Sequence, residues 1–351
     1  MRRFVGSRNI SEIIGLFAIT MTLGFLVARF AVNTSSVVFV FRGLSSPLFM
    51  WFSYVVDAVL LLMIAVLVIR RHFRHKNRTV FKILEAVVLM LTSFFLFFMV
   101  SAILLRGILP GYVIYASAVG LSLGLVLVKE RWKGTKDMAT MASSMGIGIL
   151  LGFSFWFPYV MTGLAIFAVY DYIAVFKTNK MTKVARYFVR NNAAFLMSVS
   201  ELDAIPAERL TEKERDSYMK LIKKTGESEN PRFKKILAEG KIPIVSQVSL
   251  GEGDIALPLT AMISAYAFMP NYYLAAAVGI GAMAGISLTM YMLRKYMKPM
   301  PAIPLLFGFM GISSGIALMV LGDRHVYLSV LLMTAGALAL FFHMRKAGAT
   351  R

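Results

Sequence analysis

The chain has no cysteine. That excludes disulfides, thiolate metal sites and cysteine nucleophiles. Histidine is nearly as scarce, with four residues, His72, His75, His325 and His343. A histidine-rich metal site is therefore not expected, and neither is a cofactor. Charged residues make up only 16% of the chain, against about 25% in an ordinary soluble domain. Acids are the scarcest, 18 against 38 Lys and Arg, for a net charge of +20. The alternating apolar and polar pattern of a membrane β-barrel is also missing, because the apolar residues come in long blocks.

What is abundant is apolar side chain. Hydrophobic residues make up 58% of the 351 residues, and the mean hydropathy is +0.71. A water-soluble globule of this size has no interior large enough to hide them. The composition predicts an all-α polytopic transmembrane helical bundle. Ten spans are expected, at about 10–31, 48–69, 80–105, 111–128, 137–154, 157–177, 244–268, 271–293, 301–321 and 326–343. The first follows Met1-Arg-Arg-Phe-Val-Gly-Ser-Arg8 and has no small-residue cleavage site behind it, so it reads as a retained helix.

Basic residues test this map. With the N-terminus inside, and the long central loop set aside, 19 Lys and Arg fall on the inner side and four on the outer: Arg29, Arg42, Arg106 and Arg324. The +20 is mainly a topology signal, and no nucleic-acid partner is expected. Both termini are expected in the cytoplasm, in a multi-pass cell-membrane protein whose surroundings are the lipid bilayer. The central segment, 178–243, holds nine of the 18 acids and reads as a cytoplasmic soluble loop between two membrane parts, 1–177 and 244–351. Within it a surface helix is expected from Pro206. Short strands are expected at Phe195-Leu-Met-Ser-Val and Ile242-Pro-Ile-Val-Ser.

An ionisable group inside a span costs about 2.5–3.5 kcal/mol on insertion scales, so each is a functional candidate. Away from loops these are Asp57, Glu85, Asp171, Glu252 and Asp254. Glu85, like Glu12, lies near a helix end within reach of basic residues. Asp57 reads as an interhelical hydrogen bond or as part of an ion relay. At 1.5 Å per residue, Asp171 is expected roughly 9 Å from the inner end of the sixth span, and Asp254 roughly 15 Å into the seventh. Two carboxylates sharing a site share one proton, which supplies a base to activate water and an acid for the leaving group. On the carboxylates alone, an ion or proton pathway in a secondary transporter is the stronger reading. Such a transporter predicts repeat symmetry, which the sequence lacks.

Three local contexts change the balance: Tyr170-Asp171, Gly251-Glu252-Gly253-Asp254, and Pro301-Ala302-Ile303-Pro304. Glycines flanking Asp254 permit close backbone approach. Prolines at both ends of the third leave backbone carbonyls unpaired near a cavity. Singly, each has an ordinary structural reading. Together, and in this order, the chain resembles the presenilin and signal peptide peptidase group of intramembrane aspartyl proteases, and most of all its archaeal presenilin homologues. That group carries Tyr-Asp on helix six, Gly-x-Gly-Asp on helix seven and Pro-Ala-Leu at the start of helix nine.

The resemblance covers roughly residues 10–321. It implies an aspartic endopeptidase with Asp171 and Asp254 as the catalytic pair. Tyr170, Gly251, Glu252, Gly253, Pro301, Ala302, Ile303 and Pro304 would surround the substrate. The substrates implied are transmembrane helices that unwind before water attacks, held as an extended strand against enzyme backbone. The chain would work alone or as a homo-oligomer. Three features depart from the pattern. Ile303 replaces Leu; Glu252 is an extra acid, expected to point about 200° away from Asp254 around a helix; and a tenth helix follows the usual nine.

Overall fold

The computed structural model describes residues 7–33, 78–105, 108, 110–176, 195–206, 212, 236, 238–268, 272–296, 300–322 and 326–349. Among these residues lie nine α-helices and one two-stranded antiparallel sheet. The helices are α1 (Ser7–Asn33), α2 (Arg78–Leu105), α3 (Gly111–Arg131), α4 (Lys136–Ser154), α5 (Phe157–Phe176), α6 (Glu252–Phe268), α7 (Tyr272–Tyr296), α8 (Ile303–Leu321) and α9 (Val326–Ala349). The chain is a polytopic helical bundle. The second expected span, with Asp57, lies outside the described residues, and so does the expected surface helix after Pro206 apart from Glu212, which is helical; Pro206 itself ends a strand and does not open a helix.

Among the described residues, six helices are long and apolar enough to cross a membrane: α1, α2, α3, α5, α7 and α8. The shortfall of α4 and α6 has a physical reason. Ser143, Ser144, Gly146, Gly148 and Gly152 of α4 are buried against neighbouring helices. A helix surrounded by protein need not be as apolar as one facing lipid, and small residues let its backbone come close. A Cβ on Gly148 would sit 2.7 Å from Leu259, and one on Gly152 would sit 2.7 Å from Ile263. Thus α6 lies directly on α4. One core cluster joins the elements, with Phe17 of α1, Ile149 of α4, Phe157 of α5, Leu259 of α6, Ile286 of α7 and Met310 of α8.

The strands are β1 (Leu196–Pro206) and β2 (Lys241–Gly251), paired from Leu196 opposite Gly251 to Pro206 opposite Lys241. They extend well past the two short strands expected. They also correct the seventh span: residues 244–251 are strand, and the helix starts only at Glu252. The apolar run from Ile244 contains Ser246, Gln247 and Ser249, and cross-strand bonding to β1 takes up the backbone groups of alternate residues. Met197, Val248 and Leu250 enter the bundle core, so the inner end of the sheet is built into the helices. The Ser198 N–H donates to Asp137 Oδ1 of α4 at 3.0 Å, and Lys136 Nζ donates to Ser198 Oγ at 3.0 Å.

Candidate functional site

Asp171 lies on α5, one of the most apolar helices in the chain, and is 7% exposed. Its Oδ2 accepts the N–H of Ile303 at 3.3 Å, and the Ala302 N–H also donates to the carboxylate. Those groups open α8. The first N–H groups of a helix have no acceptor within it, and the helix dipole places positive charge there. Asp171 supplies the missing acceptor from another helix. Pro304, at the start of α8, needs no N–H there, and its fixed φ suits the first turn. The Pro-Ala-Ile-Pro segment is thus a helix start aimed at a carboxylate.

Asp254 is the third residue of α6, within its first turn. It therefore lies at the strand-to-helix junction, not the roughly ten residues into a helix that a start at Ile244 implied. Its Oδ2 accepts the Gly251 N–H at 3.3 Å. A Cβ on Gly251 would stand 3.1 Å from that oxygen, so glycine permits the approach. Asp254 and Asp171 are close enough to interact electrostatically. The fold thus brings together two carboxylates 83 positions apart in sequence, each with a backbone N–H on its Oδ2.

The other sequence candidates divide. Pro301, Ala302 and Pro304 are buried beside Asp171, with Ile303 half-buried. Gly251 is half-buried at the junction, and Gly253 is exposed. Tyr170 is 61% exposed, although its neighbour Asp171 is buried. Glu252 is buried and meets Ser143 of α4, so it does not join the aspartate pair. That is the direction the helical offset predicts.

The structure adds residues that the sequence reading passed over. Pro258 lies inside α6, four residues after Asp254. Its ring has no N–H to give the Asp254 carbonyl, so the ladder is broken at that residue. The signal was legible, a proline at +4 from the acid. The tie between Asp137 and Ser198 joins residues 61 apart and left no local signal. Glu85, expected within reach of basic residues, pairs with Lys129 at 2.6 Å, both buried; only the partner was not singled out.

Chemically, two adjacent carboxylates held by backbone donors are equipped for proton transfer to and from water and a carbonyl oxygen. No curated protein and no solved structure matches the chain. The family model described as signal-peptide peptidase, presenilin aspartyl protease matches residues 14–322, a stretch that includes α5, the sheet, α6 and α8. Across that stretch, and with both motif aspartates on adjoining elements, the chain belongs to the signal-peptide peptidase and presenilin family of aspartyl proteases.

Proposed function

We propose that Asp171 and Asp254 form the catalytic dyad of an intramembrane aspartic endopeptidase that cuts transmembrane helices. The observation carrying this reading is the interaction of the two acids at the meeting point of α5, α6 and the start of α8. Such a pair shares one proton. The ionised aspartate takes a proton from water as the water oxygen bonds to the scissile carbonyl carbon. The protonated aspartate gives its proton to the carbonyl oxygen, forming a gem-diol. The aspartate that took the water proton then protonates the amide nitrogen while the other takes a proton from a gem-diol hydroxyl, the C–N bond breaks, acid and amine leave, and the dyad again holds one proton. The Ile303 and Gly251 N–H groups keep the two carboxylates oriented through these exchanges.

A helical substrate presents its carbonyls already bonded and must unwind first. The sheet offers an unwound segment new partners. Glu252 N–H donates to Phe195 O at 3.0 Å, which makes 195 and 252 a bonded pair. By the antiparallel alternation Ser198 and Ser249 then face outward from their strands. Asp137 already takes the Ser198 N–H, so the β1 edge is occupied there. The edge of β2, where the backbone N–H and C=O groups of Ser249, Gln247 and Val245 point outward, is the one assigned to substrate. It leads straight into the Gly251–Asp254 junction. The basic-residue count supports placing the termini and the segment between the strands in the cytoplasm, so cleavage lies toward that face.

The test is incubation of purified protein with a labelled single-span substrate in liposomes, with mass spectrometry of the products. Asp171→Asn and Asp254→Asn are each expected to lower turnover by about 10³-fold or more, as loss of a proton-transfer group does in an active site. A transition-state inhibitor of aspartyl proteases should block the wild type. Full activity in either variant, or cleavage indifferent to the inhibitor, would sink the dyad.

A further inference from the structure

We propose that Glu252 is a positioning residue for Asp254, acting through Ser143 of α4; the inference rests on the dyad assignment above. Glu252 is the first residue of α6, where strand becomes helix. Its backbone N–H is held by Phe195 O of β1 at 3.0 Å. Its side chain turns away from the dyad into the space between α2 and α4. There the carboxylate hydrogen-bonds with Ser143 and lies in the electrostatic field of Glu85. Ser143 Oγ is in turn bonded to Thr92 Oγ1 of α2. The chain of contacts therefore reaches a second long helix.

Two features give this anchor a purpose beyond packing. First, Glu252 is only 8% exposed, and its Oε1 has no hydrogen-bond partner among the described residues. A buried carboxylate with an open oxygen, near a second acid, is costly where an apolar side chain would fill the space more cheaply. Second, the turn that carries Asp254 lacks its usual support. Pro258 gives no N–H to the Asp254 carbonyl, so the helix ladder does not fix that residue. Residues 252 and 254 lie about 200° apart around the helix. Fixing Glu252 on the α4 side therefore fixes the direction of Asp254 toward α5 and α8. Slack is small, because the Asp254 carboxylate already touches the Gly251 backbone.

Cleavage kinetics and cross-linking together test this. Glu252→Ala and Ser143→Ala are each expected to lower kcat by about tenfold or more with KM within about twofold, as misplacement of a catalytic group does. Glu252→Gln keeps the shape and one hydrogen bond and should stay within about threefold of wild type. The double variant Glu252→Ala/Ser143→Ala should be no slower than the worse single, since the two act as one unit. Fully multiplied losses, wild-type kcat in Glu252→Ala, or equal damage from Gln and Ala would each overturn the proposal.

The second measurement needs no activity. In the cysteine-free chain, Asp171→Cys/Asp254→Cys is joined with a short bifunctional thiol reagent. Adding Glu252→Ala should reduce the cross-linked fraction severalfold, and adding Glu252→Gln should not. An unchanged fraction in Glu252→Ala overturns the positioning role. A wild type that cuts no substrate overturns the protease reading and leaves the cross-link to decide the geometry.

Discussion

The proposed site rests on two acids, and each carboxylate is bonded by backbone N–H groups. Asp171 is held by the opening N–H groups of α8 and Asp254 by Gly251, so neither depends on a flexible side-chain partner at those contacts. A dyad that works with one shared proton is inactive when it carries two and when it carries none. Turnover is therefore expected to follow a bell-shaped pH profile, falling on the acid side as the second proton binds and on the alkaline side as the shared one is lost. Asp171→Asn should remove the profile along with the activity, read by initial rates across pH. Pro258 belongs to the same scale. A proline within a helix costs about 3 kcal/mol relative to alanine, part of which Pro258→Ala should return as a higher Tm. Because Glu252 already fixes the direction of Asp254, restoring the missing helix bond should leave cleavage within about threefold of wild type. Thermal unfolding in detergent beside cleavage rates checks both, and an unchanged Tm or a roughly tenfold slower variant would refute the link.

Among elements, the junction of β2 and α6 matters most. A strand that ends and a helix that begins within one residue place Asp254 at the border between sheet and bundle. The sheet is joined to α4 through Ser198, Lys136 and Asp137. On the far side, α8 brings its first turn to Asp171, and α9 fixes α8. Their contact is made by small residues: a Cβ on Gly336 would stand 2.6 Å from Gly308 O, and one on Gly311 would stand 2.9 Å from Leu332 O. The backbones touch, as small residues allow between helices in a membrane. The family match stops at residue 322, before α9, yet α9 packs along the helix that caps Asp171. Its His343 is fully buried against the Phe176 ring, 6.0 Å between centroids, at the end of the helix carrying Asp171. Gly336→Leu is expected to push α9 off α8, lowering Tm and reducing cleavage. Overpacking of this kind costs about 1–3 kcal/mol or more. A variant with unchanged melting and turnover would show α9 to be dispensable.

At the scale of the molecule, charge distribution governs orientation. The sequence divides its basic residues unevenly between alternate connections, and such bias sets which side stays in the cytoplasm. Because the chain lacks cysteine, single cysteines report sidedness without background. Arg2→Cys, Lys213→Cys and Lys346→Cys are expected to react with an impermeant maleimide only from the cytoplasmic side. Arg324→Cys should react only from the opposite side. Labelling of Lys213→Cys and Arg324→Cys from one side would overturn the topology.

How much of this was legible follows from the range of each interaction. Composition and long apolar runs located the described helices to within a few residues, except α6 and the extended end of α9, because transfer of side chains to lipid acts on each segment by itself. The motifs singled out Asp171, Asp254 and the Pro-Ala-Ile-Pro segment as sequence patterns. The sequence alone also foretold that Glu252 would point away from Asp254, a consequence of helical spacing. Other features needed the fold. The start of α6 was set by cross-strand bonding to β1, 45 or more positions upstream and invisible to a hydropathy window. The use of α8 as a cap for Asp171 joins residues 132 apart. The purpose of a buried Glu252 rests on Ser143, on a helix more than a hundred positions away. Hydrophobicity and helical period are local, and the sequence determines them unaided. Which acid meets which helix end is decided only when the packed bundle brings them together.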